Sequence, residues 1–289
     1  MDRIKVGFLG YGTRALDALM AHDGFEVKRF IAPMSRLCED VYTAKRRYPD
    51  LNFAVVRNNE ELLAAFLEAK GIDCFVMNAC PIILKENVLA AMPVYNIHPG
   101  SLRYNRGHQP HLWTVLLGEP ESEIVLHKVS AGIDEGAVIG RQVCAIGEEM
   151  DALSVLDCLE DRIPELLDSL YEHITQGRPP LCVEAGGTYR RVMVHSDYEF
   201  SLKDLNNMDR GLFLADALRK IRARSMHHGA FFVHNGERVY VDRLLDDESV
   251  PLSKEKSVSV SFHGSVVFIE YGGRRLVFRV NKREREDAT

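Results

Sequence analysis

Long apolar runs are missing from this 289-residue sequence: no stretch approaches the roughly 18 uncharged apolar residues of a membrane-crossing helix. The start, MDRIKVGFLG, enters a short apolar strand with no leader-like region before it, so the expected setting is cytoplasmic, with no membrane partner. Cysteine is scarce and scattered. Cys38, Cys74, Cys80, Cys144, Cys158 and Cys182 contain no CxxC pair, which removes the usual zinc and redox spacings and leaves reduced core thiols; no metal is expected. The adjacent His227-His228 also lacks a partner at metal-site spacing. Excess positive charge is absent too. With 36 Lys and Arg against 42 Asp and Glu, the net charge of -6 does not describe a surface built to neutralise many phosphates, so nucleic acid is not the expected partner. No internal repeat or low-complexity linker interrupts the chain.

What is present is an ordinary globular composition, 46% hydrophobic and 27% charged, long enough for two domains. The first half alternates strand-like and helix-like segments: IKVGFLG, TRALDALMAH, FEVKRFIAP, NEELLAAFLEAKG, DCFVMNA. That rhythm predicts a Rossmann-like, mostly parallel α/β sheet with helical crossovers and a ligand at the carboxyl ends of its strands. After PVYNI come a helix-like QPHLWTVLLGE, a strand SEIVLHKVS, a polar turn AGIDEGAVIG, and a helical stretch from Asp151 to Gly177 in which Pro164 either kinks the helix or starts a new one. A boundary near Gly177-Arg-Pro-Pro180 divides a domain of residues 1–178 from a smaller β-rich domain of residues 179–289. In the latter, a helix-like RGLFLADALRKIRAR precedes β-rich runs, with Asn235-Gly236 as a hairpin signal and NKREREDAT as a solvated tail.

Two motifs compete for the site. Gly10-Tyr-Gly12-Thr-Arg-Ala15 has the outline of a dinucleotide turn, but the second strand ends without the acidic residue that fingerprint requires, so a tight strand-to-helix turn is the plainer reading. The other motif is NIHPGSLRYNRG. At a strand end, side chains i and i+2 share a side, so Asn96 and His98 converge, and Gly132-Ile-Asp134-Glu-Gly136 offers a carboxylate on a loop whose glycines let the backbone come close to a ligand. An amide, an imidazole and a carboxylate together suit acyl transfer to an amine: the amide steadies an oxyanion, the imidazole moves protons, and the carboxylate holds the imidazole.

NIHPGSLRYNRG followed by HKVSAGIDEGAVIGRQ resembles the folate-dependent formyltransferases, a family that includes tRNA, purine and sugar N-formyltransferases; the resemblance covers residues 1 to 180. It implies that Asn96, His98 and Asp134 are catalytic. It also implies that the co-substrate is 10-formyltetrahydrofolate, held by Pro81, Ile82, Ile83 and Leu84 and by Ser130, Gly132 and Ile133. HPG with YNRG is most similar to the nucleotide-sugar enzymes, implying a small-molecule amine on a nucleotide-linked sugar met by Arg103, Tyr104, Asn105, Arg106 and Gly107, the arginines through forked bonds to a diphosphate. The chain departs from those enzymes at Ser101, Arg103 and His108, where an aromatic, a proline and a tryptophan are usual, so the acceptor pocket is expected to be recut. His108 and His111 read as helix-face residues. GTYRR and the segment before the hairpin resemble the family's later part more loosely, and the closing strands fit either a small barrel or a dimerisation sheet, which leaves a homodimer open. Three alternatives remain: a formyltetrahydrofolate hydrolase, a methionyl-tRNA enzyme using Arg219, Arg222 and Arg224, and a nucleotide-binding regulatory module without catalysis.

Overall fold

A computed structural model describes residues 3–207, 210–224, 229–250 and 258–285; His227-His228 lies outside them. Strands and helices alternate from the start: Ile4–Gly10 (β1), Thr13–Ala21 (α1), Phe25–Pro33 (β2), Glu39–Arg47 (α2), Asn52–Val56 (β3), Asn59–Glu68 (α3), Cys74–Asn78 (β4), Glu86–Ala91 (α4) and Val94–His98 (β5). The five strands lie parallel in the order β3-β2-β1-β4-β5. β4 and β5 are buried throughout, as strands covered on both faces must be, which is why they read as unbroken apolar runs. α3 shows local logic clearly. Asn58 accepts the Glu61 N–H at 3.0 Å, and Glu60 and Glu61 sit in its first turn, against the positive end of the helix dipole.

Next come Arg106–Gly107 (β6), Pro110–Leu117 (α5), Glu121–Lys128 (β7), Gly136–Ala145 (β8), Ala152–Glu160 (α6), Ile163–Gln176 (α7), Cys182–Glu184 (β9) and Tyr189–Arg190 (β10). β7, β8 and β9 extend the sheet antiparallel beyond β5, giving β3-β2-β1-β4-β5-β7-β8-β9. Pro164 starts a helix: it stands in the first turn of α7, where a missing N–H costs nothing, and Gly177 closes that helix with φ +68°. One expectation fails here. AGIDEGAVIG is not a single turn, because β8 begins at Gly136 and takes Val138 and Ile139 into the core against β7.

The chain divides into two compact units. The first comprises residues up to His111, Glu121–Ile146 and Leu156–Arg191; the second comprises Leu112–Pro120, Gly147–Val155 and the residues from Val192 onward. The first unit thus runs past residue 178, since β9 pairs with β8 and β10 pairs in parallel with β6. In the second unit Asp204–Asn207 (α8) and Arg210–Arg222 (α9) precede Phe231–His234 (β11), Glu237–Ser249 (β12), Ser259–His263 (β13), Val266–Tyr271 (β14) and Arg274–Arg285 (β15). These strands form an antiparallel sheet, β11-β12-β15-β14-β13, on which Phe213, Ala217 and Ile221 of α9 pack over Phe232, Val241, Ile269 and Phe278. Asn235 (φ +52°) and Gly236 (φ +74°) make the expected hairpin turn. Residues 281–285, expected as tail, continue β15, where Arg283 pairs with Glu237 of β12. Among the described residues no helix is long and apolar enough to cross a membrane.

Candidate active site

A cavity of about 720 Å³ opens in the first unit, where the carboxyl ends of β1, β4 and β5 meet the loops that follow them. Its wall begins with the glycine turn. A Cβ on Gly12 would stand 1.6 Å from Asn78 Oδ1, and one on Gly10, which has φ +138°, would stand 1.8 Å from the Asn78 carbonyl oxygen. The glycines therefore make room for Asn78 at the end of β4. That side chain is 2% exposed, donates to the Ile97 carbonyl at 3.0 Å, and leaves its Oδ1 without a partner among the described residues.

The three polar groups expected to converge do so. Asn96 and His98 are buried on the same side of β5, at 8% and 4% exposure. Asn96 Nδ2 donates to Asp134 Oδ1 at 3.3 Å, and His98 Nδ1 lies 3.5 Å from Asp134 Oδ2. The Gly107 N–H donates to the same Oδ2 at 2.8 Å. His98 Nε2 lies 2.9 Å from the Asn105 carbonyl oxygen. A carbonyl oxygen only accepts, so Nε2 carries a hydrogen and Nδ1, beside the carboxylate, is the nitrogen able to take up or release a proton. Burial opposes ionisation of Asp134, but the neighbouring His98 and His127 and the Gly107 N–H outweigh it and hold the carboxyl far below the usual carboxylate range.

Backbone strain gathers at the same place. Four described non-glycine residues have left-handed φ: Asn235 in the hairpin, and Ala79 (+54°), Gln109 (+47°) and Asp134 (+47°), all of which line the cavity. Such conformations cost free energy and persist where the surroundings enforce them, which is common at working sites. Gly136 (φ +137°) lets the loop turn after Asp134, since a Cβ there would lie 2.2 Å from the Lys128 carbonyl oxygen.

Pro81, Ile82, Ile83 and Leu84, expected on one loop, and Ser130, Gly132 and Ile133, expected on another, all line the cavity. From the stretch 103–107 only Gly107 does. Arg103 Nε pairs with Glu184 Oε1 at 2.9 Å, the Arg106 guanidinium pairs with Glu135, Asn105 is buried at 1% exposure, and the Tyr104 ring is 61% exposed. Each of the two guanidinium groups expected to meet a diphosphate is paired with a carboxylate of the protein itself.

Sequence reasoning missed several wall residues. His127, 1% exposed, faces Asn96 directly across the β5–β7 pairing, with its Nε2 3.2 Å from Asn96 Nδ2 and 3.7 Å from Asp134 Oδ1. Its parity in SEIVLHKVS was the available signal, once β7 is known to pair antiparallel with β5. His108 and His111, expected on a helix face, turn into the cavity. Burial, with the charges of His108 and His98, pushes the His111 imidazole down to about 4, and its Nδ1 is enclosed without a partner among the described residues. Tyr189 reaches the wall because β10 lies along β6.

An amide, an imidazole and an ionised carboxylate thus gather at the carboxyl edge of a mostly parallel α/β sheet. Residues 32–169, just under half of the chain, match the family profile described as Formyl transferase, so the chain carries a domain of that kind. The chain is 29% identical over 132 residues to a methionyl-tRNA formyltransferase of Bifidobacterium animalis, covering 45% of this chain and 41% of that one. It is 26% identical over 155 residues to a dTDP-4-amino-4,6-dideoxyglucose formyltransferase of Mycobacterium bovis, covering 53% and 64%. The chain thus spans about half the length of these curated relatives. Among solved structures, WlaRD, a sugar 3N-formyl transferase in the presence of dTDP and 5-N-formyl-THF, shares the fold at a TM-score of 0.63 and 17% identity, over 98% of this chain and 100% of that one.

Proposed function

We propose that this protein transfers a formyl group from 10-formyltetrahydrofolate to the primary amine of a nucleotide-linked amino sugar, with Asn96, His98 and Asp134 at the reacting centre. The observation that carries this reading is the convergence of the three groups, with Asp134 within 3.3 Å of Asn96 and 3.5 Å of His98, on the wall of one cavity. The cavity suits the donor's flat ring: Ile82, Ile83, Leu84 and Ile133 offer apolar surface, and the loops that carry them offer main-chain polar groups.

In this reading the amine attacks the formyl carbon, and the Asn96 amide turns an N–H from its long contact with Asp134 towards the formyl oxygen, where negative charge develops. His98 Nδ1 takes the ammonium proton and returns it to the departing folate nitrogen, while Asp134 balances the imidazolium formed in between. His127 keeps the Asn96 amide oriented. The nucleotide-linked acceptor draws support from the Mycobacterium bovis relative and from the structure solved with dTDP. Acids lie near two of the three arginines a tRNA enzyme would use: Glu148 and Glu149 act on Arg222, and Asp151 and Asp242 feel Arg224.

Supplying 10-formyltetrahydrofolate with a panel of nucleotide-linked amino sugars is expected to yield one product heavier by a formyl group, with stoichiometric tetrahydrofolate. Formate release that ignores every amine would instead identify a hydrolase, and binding without either product would leave a regulatory module. Asp134→Asn and His98→Ala are each expected to abolish transfer in folded protein; normal turnover by either would refute the assignment.

A further inference from the structure

We infer that Arg106 is a positioning residue that clamps the loop bearing Asp134, and that it does not bind the acceptor's phosphates. The inference rests on the triad reading above. The Arg106 side chain is only 11% exposed. Its Nη1 donates to the Ile133 carbonyl at 3.4 Å and pairs with the Glu135 carboxylate, so one guanidinium holds the residue before Asp134 and the residue after it. The neighbouring Gly107 N–H holds the Asp134 carboxylate itself.

The clamp is anchored from behind. Arg106 N–H donates to the Thr188 carbonyl at 3.1 Å, His108 N–H donates to the Arg190 carbonyl at 3.1 Å, and Gly186 N–H reaches Glu135 Oε1 at 3.4 Å. Gly107, at φ +97°, is required there, because a Cβ would come within 2.6 Å of the Arg190 carbonyl oxygen. Asp134 needs such restraint since its own backbone is held left-handed at φ +47°. A guanidinium diverted to a diphosphate would release both flanks of Asp134 and bring phosphate charge up to Glu135. The clamp engages Nη1, so a phosphate drawing on that nitrogen would compete with restraint of the loop.

Glu135→Gln separates the two roles by sign. It weakens the clamp, so a positioning role predicts a kcat lower by about tenfold or more, as expected when a reacting group drifts by a fraction of an ångström, with acceptor and donor KM within about twofold of the parent. A phosphate-binding Arg106 would be freed by the same substitution, lowering acceptor KM at unchanged kcat, and that result would overturn the inference. Arg106→Lys, which keeps the charge, is expected to retain more kcat than Arg106→Met; equal losses would count against the clamp. Hydrogen exchange of the amides of residues 130–136 gives a readout free of turnover. It is expected to quicken in Glu135→Gln and Arg106→Met, and unchanged exchange in both would sink the proposal. If the parent neither transfers formyl groups nor hydrolyses the donor, the functional reading falls, while the exchange measurement still decides the clamp.

Discussion

His127 shows how one buried side chain serves two others. Its Nδ1 lies 3.4 Å from the Lys128 carbonyl oxygen, and its Nε2 lies 3.2 Å from the Asn96 amide nitrogen and 3.7 Å from Asp134 Oδ1. Removing the ring leaves the amide to Asp134 alone. His127→Ala is expected to lower kcat by about one to two orders of magnitude, with donor KM little changed and the protein folded by circular dichroism; a parental kcat would show that Asn96 needs no such support. His111 makes a different prediction. Its folded pKa lies near 4, below the ordinary value of about 6.5, so the unfolded chain binds an extra proton between those values. Stability from this group is therefore complete above about pH 6.5 and declines as pH falls towards 4. His111→Phe is expected to flatten the change in urea midpoint between about pH 6.5 and 4.5, and an undiminished slope would assign the acid sensitivity elsewhere.

At the scale of elements, Gly12 is fixed by its neighbour more than by its own backbone, which lies at φ -75°. Gly12→Ala drives a methyl into Asn78 Oδ1 and is expected to destabilise by roughly 1–3 kcal/mol, a typical overpacking cost. Asn78→Ala should relieve much of that cost, so a double-mutant cycle by chemical denaturation is expected to return a coupling of at least about 1 kcal/mol. This pair also shows what could be read in advance. The period-2 parity of NIH, the Asn235-Gly236 turn and the proline at the start of α7 act within a few residues, and each was legible in the sequence. The partner of GYG was not, because Asn78 lies some 65 residues away and meets it only through β1–β4 pairing. The partners of Arg103 and Arg106 were hidden for a related reason: an arginine's charge is visible in sequence, but the carboxylates that pair with it, Glu184 and Glu135, come from β9 and the loop before β8.

For the whole molecule, the change of texture near residue 178 was visible, but the interleaving was not. Leu112–Pro120 and Gly147–Val155 belong to the later unit although they sit amid the earlier one, a relation that linear composition cannot carry. A chain ended at residue 191 leaves both segments without the rest of their unit. It is expected to accumulate as insoluble or dye-binding protein, whereas a soluble fragment with cooperative unfolding would show that the first unit stands alone. Charge makes the companion prediction: with acids near Arg222 and Arg224, any tRNA retention is expected to vary little between about 50 and 200 mM salt, against the steep fall produced by many phosphate contacts.

The attachment of β10 to β6 rests on two residue pairs, Tyr189 with Arg106 and Arg190 with Gly107, and it brings to the cavity a half-exposed ring from beyond the stretch the family profile covers. Main-chain pairing of that kind is indifferent to which side chain rides on it. The ring at 189 can therefore be exchanged without breaking the pairing that carries it to the cavity wall.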